Sequence, residues 1–263
     1  MLETTVAVLG LMTAVMVAAW AFALARDNGG WIDVFWTFGS GLALGGAALA
    51  GLGPDAGLRP WLVAAVAALW ALRLGSYIAR RVATGAEDPR YARFRAEFGL
   101  AYRPRMLLVA LPQALATALL TPSVFMAAHT AGPLGARDVA GLALALAAIA
   151  GAGLADGQMK RFKADPANRG GVCDVGLWAW SRHPNYFFEW LGWLAYPVIG
   201  LQLDRPVTWL SLSASALMYL LLTWVSGVPP LEAAMLRSRG DAYRAYQARV
   251  GPFFPVPPKG QDR

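Results

Sequence analysis

Between Asn168 and Trp190 the chain reads NRGGVCDVGLWAWSRHPNYFFEW, and Arg182, His183, Asn185, Tyr186 and Glu189 crowd polar chemistry into a greasy sequence. Pro184 has a fixed φ and no N–H, so it suits the first turn of a helix. A helix from there to Leu203 places Asn185, Glu189, Gly192 and Tyr196 on one face, at i, i+4, i+7 and i+11. A carboxylate and a carboxamide one turn inside an apolar helix are costly unless something pairs with them, which makes them candidates for holding a polar ligand. The plainer reading of the same residues is a helix-end cap with an interfacial aromatic belt.

Asp156, Lys160 and Lys163 repeat the helical spacing just upstream, followed by Arg169. Read blandly, they are a surface ion pair of small worth. Read functionally, they form a cationic ledge for phosphates. Arg73 and Asp33 lie inside apolar stretches, where a charge must find a partner or line a wet cavity. Snorkelling is the structural alternative for Arg73. Two histidines and one cysteine, far apart, make no metal-ligand set, and no Ser or Cys sits in a triad-like setting. Gly151–Gly157 has dinucleotide-fingerprint glycines, yet it lies inside an apolar block with no strand before it, so close helix packing is the better account.

These residues need helices to carry them. The chain has 263 residues, 57% hydrophobic and 15% charged, with a mean hydropathy of +0.44. A soluble domain would be nearer a quarter charged. Apolar residues gather in blocks of about 20, the length that crosses a bilayer as helix. The expectation is an all-α membrane protein, one integral domain over 1–263, with seven spans near 4–25, 31–52, 59–79, 106–128, 139–157, 184–203 and 207–226. Pro112 and Pro122 should break or kink the fourth. The tail 227–263 has an amphipathic stretch around 230–250 and then FFPVPPK, which reads as a membrane-surface anchor.

Charge tests the count. Seven arginines lie between Ala79 and Arg105, five Lys or Arg between Gln158 and Tyr186, and six after Ser226. The three connections on the opposite side carry one each: Arg59, Arg137 and Arg205. Seven spans put every rich segment on one face, so the N-terminus is expected outside and the C-terminus in the cytoplasm. The net charge of +7 thus belongs to topology, and no nucleic-acid partner is expected.

The order LWALRLGSYIARR, EDPRYARFR, ADGQMKRFK, GLWAWSRHPNYFFEW, SGVPPLE and YRAYQARVGPFFP resembles the bacterial membrane proteins of the DUF1295 family, grouped with steroid 5-alpha-reductases, over roughly Trp31 to Pro258. RHPxY by itself is shared with isoprenylcysteine carboxyl methyltransferases. The resemblance implies a seven-helix bundle that takes NADPH from the cytoplasmic side. It implies that Asp156 and Lys163 meet the adenosine-phosphate end, with Lys160 and Arg169 on the same ledge. Asn185 and Glu189 would meet the nicotinamide half, with Arg73, Arg182, His183 and Tyr186 around that pocket. The steroid reductases polarise an enone carbonyl with a Glu and a Tyr; the matching helices here offer Asp33 and, near the tyrosine position, Trp70.

The expected function is NADPH-dependent reduction of a carbon–carbon double bond in a lipid-like substrate, with Asp33 as acid and Tyr77 behind it. The alternative is an S-adenosylmethionine-dependent methyltransferase, for which RHPNY, Glu232, Tyr243 and Tyr246 speak. A non-catalytic lipid-binding bundle is the third reading, without an inverted repeat to support transport.

Overall fold

Apolar blocks with few helix breakers fold as helices, and the described residues of the computed structural model contain no strand. Residues 1–53, 57–85 and 87–258 are described; Lys259, the basic end of the expected tail anchor, lies outside them. The helices are α1 (Leu2–Ala25), α2 (Trp31–Ala48), α3 (Arg59–Thr84), α4 (Pro89–Phe98), α5 (Tyr102–Ala128) and α6 (Ala136–Ala164). They continue as α7 (Pro184–Trp193), α8 (Ala195–Gly200), α9 (Ser213–Leu220), α10 (Val228–Arg239) and α11 (Asp241–Arg249).

Among the described residues, five helical stretches are long and apolar enough to cross a membrane: Leu2–Ala25, Arg59–Thr84, Pro89–Ala128, Ala136–Ala164 and Pro206–Arg239. The block 31–52 forms the 18-residue α2, diluted by Asp33 and its glycines. The block 184–203 divides into α7 and α8 at Leu194. Pro197 explains the division, because its missing N–H leaves the carbonyl of Trp193 without its helical donor. Pro112 and Pro122, by contrast, sit inside α5 without ending it. Near the C-terminal end of α9 the helix widens to a π-turn at Leu221–Val225, where the Ser226 N–H donates to the Leu221 carbonyl at 2.8 Å.

The chain forms two compact units: residues 1–142 with 196–217, and residues 143–195 with 218–263. In the first, α2 packs along α3 and α1 packs along α5. Gly41 makes the former possible, since a Cβ there would lie 2.2 Å from that of Ala71. A polar rung crosses the unit: Ser40 and Thr117 share a hydrogen bond of 2.7 Å, and the Trp36 indole donates to Thr117 at 3.1 Å. Such pairing is what buried hydroxyls in an apolar bundle require.

Polar contacts define the two ends of this unit. At one, the Gly29 N–H donates to Glu87 at 2.7 Å and Arg95 pairs with Asp27 at 2.7 Å. At the other, His129 Nε2 lies 2.9 Å from the Ala50 carbonyl, and Arg59 grips Asp138 at 2.6 and 2.9 Å. Arg59 also donates to the carbonyls of Thr130, Gly132 and Pro133, so one guanidinium closes the loop between α5 and α6.

The second unit is built on the C-terminal half of α6, α7, and the helices α10 and α11. Gly151 admits the Phe188 ring, which a Cβ would meet at 2.4 Å, so its glycine serves packing. The tail does not hang free. Phe253 is buried against Phe187, Trp190 and Tyr219, with ring centroids 5.5 to 6.0 Å apart. The Val256 N–H donates to the Trp180 carbonyl at 3.0 Å, and Ser181 donates to the Phe253 carbonyl at 2.8 Å. FFPVPP is therefore a strap over the SRHP loop, with Phe253 buried and Phe254, Val256 and Pro257 left exposed.

Candidate functional site

Loop 170–183 arrives at α7 already stitched down. Gln158 of α6 accepts from the Leu177 N–H at 2.9 Å, and the Trp178 indole donates to the Ala155 carbonyl at 3.0 Å. The Tyr246 phenol, buried in α11, donates to the Trp178 carbonyl at 2.5 Å. These bonds fix the stretch that carries Ser181, Arg182 and His183.

Arg182 and His183 meet one carboxylate. Arg182 Nε donates to Glu232 Oε1 at 2.6 Å, and His183 Nε2 lies 3.1 Å from the same oxygen. Gln247 donates to Glu232 Oε2 at 2.8 Å. Arg182 Nη1 is engaged by the carbonyls of Gln247 and Val250, at 3.2 and 2.6 Å. Arg182 thus spends its donors inside the protein, binding the loop to α10 and α11. Charge-assisted bonds of this kind are the strong ones.

His183 is almost wholly buried and stacks on Tyr186, with centroids 5.6 Å apart and planes 10° from parallel. Burial depresses its pKa below 6.5, while the bond to Glu232 pulls the other way. The neutral ring then donates from Nε2 to Glu232 and leaves Nδ1 as an acceptor. That atom is buried with no hydrogen-bond partner among the described residues. Burial, and after it the Glu232 charge, raises the Tyr243 phenol above its ordinary range. Cys173 is likewise raised by burial and is a poor nucleophile.

In the first turn of α7, Asn185 donates its amide to Asp156 Oδ1 at 3.3 Å. Asp156 is buried, whereas Lys160, Lys163 and Arg169 beyond it are exposed. None of those three cations has a carboxylate partner among the described residues, although neighbouring arginines do: Arg249 pairs with Asp174 at 3.1 Å and Arg244 with Asp241 at 2.7 Å. Glu189 follows Asn185 by one turn, half-buried like Tyr186.

Asp33, Arg73 and Tyr77 belong to the first unit. Asp33, in the first turn of α2, accepts from the Tyr91 phenol through Oδ1 and from Arg90 through Oδ2, both at 2.7 Å. Arg90 also reaches Asp88 at 3.1 Å, and Asp88 caps α4 by accepting from the Arg90 N–H at 3.0 Å. Burial acts to raise the Asp88 pKa, but Arg90 and Arg81 outweigh it and hold it below 3.8. Arg73 and Tyr77 stand one turn apart on α3, both half-buried. Trp70 is buried against Trp36 at 6.1 Å.

Sequence reasoning missed Arg90 and Tyr91 as the partners of Asp33, and Glu232 and Gln247 as the partners of the SRHP loop. No spacing rule reaches across the 57 and 50 residues that separate these partners.

An uncharacterised protein of Schizosaccharomyces pombe is 34% identical over 102 residues, covering 36% of this chain and 27% of that protein. The chain thus spans about a quarter of the length of that relative. No solved structure matches. The model of one family, described as "Protein of unknown function (DUF1295)", matches residues 19–250, so the chain belongs to the DUF1295 family.

Proposed function

We propose that this protein is an NADPH-dependent reductase of a carbon–carbon double bond in a hydrophobic, lipid-like substrate. The observation that carries the reading is the unspent charge of Lys160, Lys163 and Arg169 on the same stretch as Asp156, which is buried and bonded to the half-buried Asn185. Two ammonium groups and a guanidinium suit the phosphates of a dinucleotide. A carboxamide and a carboxylate one turn apart, Asn185 and Glu189, suit an amide group that needs both an acceptor and a donor. The nicotinamide supplies the hydride when bound. Arg182 and His183 act as positioning residues, holding the loop that leads into Asn185 against Glu232. Asp33 is the proposed proton donor, with Tyr77 and Arg73 on the helix beside α2. Both Asp33 oxygens accept hydrogen bonds, from Arg90 and Tyr91, so Asp33 must first take up a proton, with one of these partners leaving, before it can deliver that proton.

The proposed setting is a bacterial inner membrane, crossed seven times, with the N-terminus outside and the C-terminus and site facing the cytoplasm. Two features favour α2 as a span. Its 18 residues measure about 27 Å. Its N-terminal turn shares an end of the first unit with α4, whereas Ala50, just past its C-terminus, contacts His129 at the other end.

Thermal unfolding of the purified protein tests the cofactor. NADPH at about a hundred times its dissociation constant adds roughly 2.7 kcal/mol, a visible rise in melting temperature. Asn185→Ala should remove most of that rise. Lys163→Ala should weaken NADPH about ten- to a hundredfold, the worth of a charge-assisted contact. A rise with S-adenosylmethionine and none with NADPH would replace the reductase by the methyltransferase.

A further inference from the structure

The seven arginines between Ala79 and Arg105 do not all have the same occupation. Arg81, Arg90, Arg93 and Arg95 each hold a carboxylate. Arg103 and Arg105, in the first turn of α5, are exposed and have no such partner among the described residues, and the same holds for Arg26, just past α1. The Trp20 indole of α1 donates to the Arg103 carbonyl at 2.8 Å, which sets the end of α1 beside the start of α5. Two of the three free guanidiniums lie over aromatic faces: Arg26 over Phe22 at 5.2 Å, and Arg105 over Phe98 at 5.3 Å. Stacking of this kind holds the cation in place. Between α4 and α5 the chain turns at Gly99, φ +50°, and presents Leu100 fully exposed.

α1, and the Pro89–Ala128 stretch whose apolar part is α5, are long and apolar enough to cross a bilayer. Their ends therefore lie at headgroup depth, where an unpaired arginine cluster meets phosphates and a protruding leucine finds acyl chains. We propose that Arg26, Arg103 and Arg105 form a binding surface for anionic phospholipid headgroups, with Leu100 inserted between the lipids. The surface has a consequence for Asp33, because α4, which borders it, also carries Arg90 and Tyr91. Lipid charge thus bears on the segment that occupies the Asp33 carboxylate.

The test uses the full chain with Cys173→Ala and Leu100→Cys, labelled with a polarity-sensitive dye and placed in nanodiscs. Leu100 is exposed, so the substitution spares the core. Dye emission should shift to the blue as phosphatidylglycerol replaces phosphatidylcholine. Each of Arg26→Gln, Arg103→Gln and Arg105→Gln should raise the half-effective mole fraction about fivefold, the worth of one basic residue at an anionic surface. The triple variant should abolish the response while melting within a few degrees of its parent. Ten-millimolar inorganic phosphate should leave the response intact. Emission typical of water in every lipid overturns the proposal, as does a response that survives the triple variant. Loss of the response to inorganic phosphate overturns the lipid as the ligand and assigns the surface to free phosphate.

Discussion

At the scale of single residues, the SRHP loop depends on Glu232 being an ion and His183 being neutral. Arg182 and His183 share Glu232 Oε1, and a protonated imidazole there would stand next to a guanidinium. The depressed His183 pKa fixes the sign of the pH dependence. Below 6.5 the unfolded chain takes up a proton that the folded chain refuses, so stability falls with pH from 6.5 down to the folded pKa. Asp88 has the usual carboxylate behaviour: its contribution is present above 3.8 and disappears as pH drops through its lowered folded value. Melting temperature should accordingly decline in two separate acid windows. The decline between pH 7 and pH 5 should flatten in His183→Gln, and an equal slope in that variant would remove His183 as its cause. Neither Glu232 nor Tyr91 was legible as a partner, because each reaches a residue at least 49 positions away with no period to betray it. Asp156 and Asn185 each stood out by residue type in an apolar helix, but no spacing showed that they bond to each other across 29 residues.

At the scale of elements, length and hydropathy were enough to place the long helices, since blocks of about 20 apolar residues leave little else for the backbone to do. What they could not place is where a helix stops inside such a block. Pro197 divides 184–203, yet Pro112 and Pro122 leave α5 whole. A proline in an apolar block therefore does not by itself say whether the helix ends there. The strap is a second instance: FFPVPP reads as a surface anchor until Ser181 donates to the Phe253 carbonyl and the Trp180 carbonyl accepts from Val256 along it. Arg59 is a third. It counted in the sequence as one isolated positive charge, yet it joins the start of α3 to the start of α6 with two hydrogen bonds to Asp138, and to the loop before α6 with three more. Both it and Asp138 are buried. Removing one partner strands the other, a loss of about 3–5 kcal/mol. Arg59→Ala should therefore lower the melting temperature strongly, whereas a paired apolar replacement, Arg59→Met with Asp138→Leu, should recover part of the loss. If Arg59→Ala melts like the parent, the pair contributes nothing to the fold.

At the scale of the whole molecule, the open quantity is the number of crossings, and two arrangements give opposite answers at the same positions. If only the five long helices cross, residues 26–58 stay on one side, residue 84 emerges on the other, and the tail returns to the first side. Thr84 and Ala245 would then face opposite compartments. The arginines would be divided as well, seven from 79–105 on one face and the six basic residues after Ser226 on the other. With α2 and 184–203 also crossing, Thr84 and Ala245 share a compartment, and Ala131 faces the opposite one. The positive-inside rule favours that arrangement. Thr84, Ala131 and Ala245 are all exposed, so single cysteines there are accessible without disturbing a core. The native Cys173 is buried and best replaced by Ala beforehand. In intact cells an impermeant thiol reagent should label Ala131→Cys and spare both Thr84→Cys and Ala245→Cys; after permeabilisation all three should label. Labelling of Thr84→Cys and Ala245→Cys on different sides would reduce the crossings to five. It would also leave 165–205 opposite the tail, although Arg182 and Glu232 are bonded to each other at 2.6 Å.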